Sequence, residues 1–181
     1  MNIDNKVWEV LCSEEEIKER VRALGKQITE DYKNKNLLVV SLLKGSFIFA
    51  ADLVREISLP VKMSFMTTSS YGKDTSSSGI VEILADLEGD VNAYDVLIID
   101  DIIDSGHTMR HVIDHLRSKN PESIASCVLL DKPSRRAVQI EADYVGFVIE
   151  DKFVVGYGLN YGDYYRNIPY VFAVTDQDRS G

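Results

Sequence analysis

Three short apolar runs, LLVVSLL (Leu37 to Leu43), VLII (Val96 to Ile99) and IASCVLL (Ile124 to Leu130), constrain this chain more than anything else in it. A strand that is apolar at consecutive positions has no face to give to water, so it must be covered on both sides. That condition is met in a parallel sheet sandwiched between helices. The segments between the runs supply the covers. From Ser46 to Ile57, Phe47, Ala50, Val54 and Ile57 recur at helical spacing; from about His107 to Ser118, Met109, Val112, Ile113 and Leu116 do the same, and Pro121 ends that pattern. Strands alternating with helices predict an α/β fold with a mainly parallel twisted sheet. At 181 residues and 45% hydrophobic content the chain fits one domain, residues 1–181.

Other segments extend this pattern. Ser13 and Glu16 have the spacing of a capping box and open a helix expected over Ser13 to Tyr32. Val61, Met63 and Phe65 alternate with polar neighbours as in a half-buried strand, and Ile80 to Leu84, Tyr144 to Ile149 and Tyr170 to Val174 are further strand candidates. Between Thr67 and Gly79 the sequence TTSSYGKDTSSSG has little to bury and is expected to be a long mobile loop.

Charge and cysteine content narrow the function. A net charge of −9 argues against nucleic acid, whose backbone demands clustered Lys and Arg, and favours a small-molecule ligand or a protein partner. Cys12 and Cys127 form no CxxC pair, which fits a reduced compartment without a thiolate zinc site. The polar start MNIDNKVWEV is no signal peptide and the apolar runs are too short for a bilayer, so a soluble cytoplasmic protein is expected, with no membrane partner. His107, His111 and His115 repeat every four residues on one helix, but the angular spacing turns them away from its apolar face, and no HExxH pattern accompanies them. They are expected to face solvent.

The chemistry collects where the apolar runs stop: Lys44-Gly45 after the first, Asp100, Asp101 and Asp104 after the second, Asp131-Lys132 after the third. Ligands of open parallel sheets bind outside the carboxyl ends of the strands, so these turns are expected to meet at one crevice. Asp104-Ser105-Gly106-His107-Thr108 joins strand to helix with small and hydroxyl side chains. Its backbone N–H groups and the helix start form a site for a phosphate. Asp100 and Asp101 would repel that phosphate, but paired carboxylates accept hydrogen bonds from a vicinal diol or hold a divalent cation. A phosphate beside a diol describes a ribose 5-phosphate.

VLIIDDIIDSGHT resembles the motif with which type I phosphoribosyltransferases bind phosphoribosyl pyrophosphate. SLLKGS, SSYG, LLDKPSRR and VGFVIEDKFVVGYGLNYGDYYRNIPYV, in that order, resemble the hypoxanthine-guanine members of that family, from about Leu37 to Val174. The resemblance implies a core over about residues 37–150, with a small hood built from the two ends of the chain. It implies that Asp100 and Asp101 bind the ribose hydroxyls directly or through Mg²⁺, and that Asp104 to Thr108 cradle the 5-phosphate. Asp104 would also face purine N7 as general base, and Lys44 and Gly45 would hold pyrophosphate through their backbone, often around a non-proline cis peptide. Lys132 would bond the C6 oxygen, Phe153 would stack on the base, the Val154 backbone would read its edge, and Arg166 would grip pyrophosphate. Ser70 and Tyr71 match the tip of a lid that excludes water during reaction. The reaction implied is hypoxanthine plus phosphoribosyl pyrophosphate to IMP and pyrophosphate, with guanine and xanthine open, in a homodimer or homotetramer.

Two residues depart from the family pattern. Asp100-Asp101 stands where Glu-Asp is usual, and Asn160 stands where an Asp usually coordinates a second Mg²⁺. Without the resemblance, Lys132 would be an ordinary surface turn, Phe153 a core aromatic and Arg166 a local partner for Asp163. Tyr157, Tyr161, Tyr164 and Tyr165 are expected to pack around the site or a subunit interface. The competing function is a non-catalytic sensor of phosphoribosyl pyrophosphate on the same fold. Such a sensor has no need of a base at Asp104, a stacking Phe153 or a C6 reader at Lys132. A P-loop kinase is excluded by the absence of GxxxxGK.

Overall fold

A computed structural model describes residues 8–70 and 81–174, together with the backbone but not the side chain of Ser70. Tyr71 lies outside the described residues. The elements in chain order are β1 (Trp8–Cys12), α1 (Glu14–Asp31), β2 (Leu37–Leu43), α2 (Phe47–Glu56), β3 (Lys62–Ser70), β4 (Val81–Ala85), β5 (Asp95–Ile103), α3 (His107–Arg117), β6 (Ser123–Asp131), β7 (Tyr144–Val148), β8 (Val154–Val155) and β9 (Val171–Val174). A single 3₁₀ turn, Pro133–Arg135, follows β6.

The main sheet has six strands in the order β4-β3-β2-β5-β6-β7, parallel except for β4. From β2 the chain crosses through α2 outward to β3; from β5 it crosses through α3 outward to β6 on the other side. The direction of winding therefore reverses between β2 and β5, which opens a crevice at their carboxyl ends.

Because the winding reverses, the helices lie on opposite faces and the apolar runs divide between two cores. Leu37, Val39, Leu97, Ile99, Cys127 and Leu129 pack with Ile17, Leu24 and Ile28 of α1 and Phe49 and Leu53 of α2. Leu38, Val40, Val96, Ile98 and Val128 pack with Met109, Val112 and Leu116 of α3. Each such side chain, fully buried, contributes roughly 1.5–3 kcal/mol. Ser13 caps α1 as the spacing predicts, its hydroxyl accepting from Glu16 N while Glu16 accepts from Ser13 N at 2.8 Å.

The second sheet, β1-β9-β8, is antiparallel and joins the two ends of the described chain, Trp8 opposite Val174. Trp8 packs on Phe172 with ring centroids 4.6 Å apart.

Four local expectations are corrected. The second apolar run does not end its strand at Ile99: β5 continues to Ile103, with Asp100 opposite Val128 and Ile102 opposite Leu130. The segment from Thr67 is not loop at its start, since β3 runs to Ser70 and pairs with β4 from Thr67/Ala85 to Ser70/Val81. An edge ladder of Thr and Ser needs backbone partners, not a buried face. Phe65 is 48% exposed and Met66 buried, because α2 packs over β2 and β5 and leaves Phe65 uncovered. His115 does not simply face solvent. Leu87 and Val91, in the connection between β4 and β5, pack into the α3 core, and this brings Asp86 Oδ2 to 2.8 Å from His115 Nε2.

Candidate active site

The phosphate-loop candidate depends on Gly106. Its φ of 87° is a left-handed conformation that glycine tolerates best, and a Cβ there would come within 2.5 Å of Ile140 Cγ2. The loop is braced from outside by the segment after the 3₁₀ turn: Ala137 N donates to Ser105 O at 2.9 Å, and Arg136 donates to Asp104 O at 2.6 Å. At His107 and Thr108 the first turn of α3 presents N–H groups that have no partner within the helix.

Asp100 and Asp101 sit on β5 at the reversal point. Each carboxylate accepts the next backbone N–H, Asp101 N and Ile102 N, both at 3.0 Å. Burial, followed by the charge of Asp101, pushes the Asp100 carboxyl well above its ordinary range. Burial also raises Asp101, against hydrogen bonds and the positive charge of Arg166, which pull it down. Neither forms an ion pair with a described side chain. Two crowded, partly desolvated carboxylates with no ion pair among the described residues are a donor set suited to a hard divalent cation.

Two remote segments close on this pair, the turn after β2 and the hairpin that carries Gly158 and Arg166. The Leu43–Lys44 peptide is cis, and the Gly45 backbone lies so near Asp101 that a Cβ would be 1.7 Å from Oδ2. A Cβ on Gly158 would be 2.1 Å from Gly45 O. Arg166 donates to Gly158 O at 2.6 Å, and not to Asp163. Asn160 lies in the same hairpin, its amide donating to Gly162 O.

On the other side of Asp104 is a chain of charges. Arg135 Nε donates to Asp104 Oδ1 at 3.2 Å, and its NH1 lies 3.7 Å from Asp151 Oδ2. The Nζ of buried Lys132 lies 3.8 Å from Asp151 Oδ1. Two residues beyond Asp151, Phe153 is 52% exposed and meets Tyr161 edge-on at 5.7 Å, and Val154 enters β8. Asp104 and Lys132 are thus joined by contacts through Arg135 and Asp151, while Arg166 is tied through Gly158 O to the hairpin that meets Gly45. Sequence reasoning missed Arg135, Arg136 and Asp151. A basic pair beginning three residues after Lys132 in an acidic chain was the available signal.

The phosphoribosyl transferase domain matches residues 8–162 of this chain. The chain belongs to the phosphoribosyl transferase family. Among relatives of this family, a hypoxanthine phosphoribosyltransferase of Salmonella typhimurium is 52% identical over 168 residues, covering 92% of this chain and 94% of that one. The bifunctional protein TilS/HprT of Listeria monocytogenes is 47% identical over 170 residues; the match takes in 94% of this chain but 26% of the relative's length. The crystal structure of a hypoxanthine phosphoribosyltransferase from Staphylococcus aureus superposes with a TM-score of 0.92 at 43% identity, covering 99% of this chain and 97% of the other. Among the described residues no helix is long and apolar enough to cross a membrane.

Proposed function

We propose that this chain is a purine salvage enzyme, a pentosyltransferase that converts hypoxanthine and phosphoribosyl pyrophosphate to IMP and pyrophosphate, with guanine and xanthine as further candidate bases. The observation that carries the proposal is the meeting of Gly45, Asp101, Gly158 and Arg166 at the β2/β5 reversal, next to the Asp104 loop.

The reaction breaks the bond from ribose C1 to pyrophosphate and forms one from C1 to a purine nitrogen. Positive charge develops on the sugar and negative charge on the leaving group. In this reading Asp104 takes the proton the purine sheds, and Ser105, Gly106, His107 and Thr108 hold the 5-phosphate. Arg166 and the backbone of Lys44 and Gly45 stabilise the departing pyrophosphate. Lys132 donates to the C6 oxygen, Phe153 stacks on the ring and the Val154 backbone reads its edge. Asp100, Asp101 and Asn160 would hold Mg²⁺, which when bound supplies positive charge to the diphosphate and orients the ribose hydroxyls. An acidic protein can bind a polyphosphate in this way because cations accompany the substrate. We assign Ser70 and Tyr71 to the lid, the β1-β9-β8 sheet to the hood, the cytoplasm as location and a homodimer or homotetramer as assembly.

The non-catalytic sensor finds no support, since the relatives bear transferase names. Incubation with phosphoribosyl pyrophosphate, Mg²⁺ and each 6-oxopurine in turn, with pyrophosphate release as readout, tests the reading. Release with hypoxanthine is expected, and failure with all three bases refutes it.

A further inference from the structure

We infer that Arg135 and Asp151 form a charged spacer that fixes Asp104 and Lys132 relative to each other, and thereby set the affinity of the site for the N7–C6 edge of a 6-oxopurine. This rests on the functional reading above and adds two positioning residues to it.

Three features of the structure carry the inference. Lys132 and Arg135 stand at the two ends of a one-turn 3₁₀ helix, closed by Arg135 N donating to Lys132 O at 3.1 Å. Residues three apart in such a turn project from the same side, so the turn presents two cations together. The carboxylate of Asp151 lies between them, with Oδ1 toward Lys132 at 3.8 Å and Oδ2 toward Arg135 at 3.7 Å. Its charge offsets a repulsion that would otherwise drive the two cations apart. Finally, the guanidinium of Arg135 is planar and rigid, and it spans Asp104 and Asp151 with two of its nitrogens.

Charges thus alternate from Asp104 to Arg135 to Asp151 to Lys132. Only the two ends face the proposed chemistry, as an acceptor for the proton shed by the purine and a donor to its C6 oxygen. A 6-oxopurine presents a complementary pair of groups on one rigid edge, so recognition depends on how acceptor and donor are held relative to each other. Arg135 takes Asp104 Oδ1, which assigns Oδ2 to the ligand. Without Arg135, Asp104 and Lys132 are opposite charges on adjoining loops and would be drawn toward each other across the place the purine edge should occupy.

Arg135 and Asp151 are about half exposed, with side chains 43% and 51% accessible, so their ion pairs add little to stability. Removing either should therefore alter binding without unfolding the protein. The test is a double-mutant cycle on the full chain with Arg135→Ala, Asp151→Ala and the double variant, measuring KM for hypoxanthine, KM for phosphoribosyl pyrophosphate and the urea midpoint. Each single change is expected to raise the hypoxanthine KM about fivefold, the scale of one such ion pair. The other two quantities should stay unchanged, and the double variant should be no worse than the worse single. Silent singles, multiplicative losses, or equal increases in both KM values would overturn the spacer. A readout independent of turnover is the Nε–Hε NMR signal of Arg135 in the ligand-free protein, which should shift in Asp151→Ala; an unmoved signal also overturns the spacer. Wild-type protein inactive with every 6-oxopurine would instead overturn the functional reading, and the spacer with it.

Discussion

Gly45 gives the sharpest test of whether Asp101 acts on substrate. Its φ lies outside the left-handed range, so alanine adds no backbone strain there. What alanine adds is a methyl group 1.7 Å from Asp101 Oδ2 and 2.5 Å from its Cγ. Carbon and oxygen settle at about 3 Å or more, so the carboxylate must retreat by more than about 1 Å or swing to another rotamer. The obstructing atoms are the end of a side chain rather than backbone, and the fold can yield at small cost, within about 1 kcal/mol in urea unfolding. Catalysis cannot yield so easily, because a 1 Å misplacement of a group that orients substrate costs on the order of 100-fold, or about 2.7 kcal/mol. Gly45→Ala should therefore lower kcat/KM for phosphoribosyl pyrophosphate about 100-fold in a pyrophosphate-release assay and weaken its equilibrium binding, while the urea midpoint stays near that of the wild type. Unchanged kcat/KM with an intact fold would refute the placement of the ribose and its cation at Asp101.

Asp104→Asn should reduce kcat by about 10²–10⁴ while weakening phosphoribosyl pyrophosphate binding far less; equal losses in both would remove the base assignment. Asn160→Asp restores a carboxylate at the second proposed cation position and should lower the Mg²⁺ concentration giving half-maximal activity, so an unchanged titration would count against a cation there. Burial works to raise the Asp86 carboxyl, but hydrogen bonds from Lys119 and His115 outweigh it and hold the group below its usual range. A depressed carboxyl stabilises the fold above its unfolded-state value near pH 4 and ceases to do so as pH falls through the folded one. The stability gap between wild type and Asp86→Asn should accordingly be present at pH 6 and close below about pH 4; a gap independent of pH would contradict the ion cluster. Burial pushes the Cys12 thiol up to about 11 and Cys127 higher still, so native protein at pH 8 should resist thiol alkylation that proceeds once urea unfolds it.

The main sheet was legible because an unbroken apolar run admits few structures: Leu37 to Leu43 needs cover on both faces, and both covers follow in sequence at helical spacing. Strand ends were less legible. Counting apolar residues stops at Ile99, but the ladder continues through Asp100 and Asp101, because strand pairing uses backbone groups and is indifferent to the side chains it carries. The small sheet was only half visible. β8 is two residues long, and β1 finds its partner across more than 150 residues of chain, a pairing that local periodicity does not encode. Within the site, Asp104, Lys132 and Arg166 came from motif resemblance. Arg135 and Asp151 lie within the same motif segments but drew no role there, since the contact between them depends on how the 3₁₀ turn and the loop before β8 pack.

Closeness at the reversal point explains the glycines as well as the acids. Parallel strands β2 and β5 are hydrogen-bonded neighbours, so the turn after β2 must pass directly beside the side chains that end β5. A residue larger than glycine at position 45 would occupy the volume of the Asp101 carboxylate, and one at position 158 would strike the Gly45 carbonyl. At Gly45 the turn can therefore approach Asp101 only as bare backbone, which brings backbone N–H and C=O groups to the space above β2 and β5. Backbone groups in that position can meet a pyrophosphate and its cation at short range without adding charge or bulk of their own. Burial raises both carboxyls of the acid pair, and a cation bound beside them would oppose that shift by favouring their ionised forms.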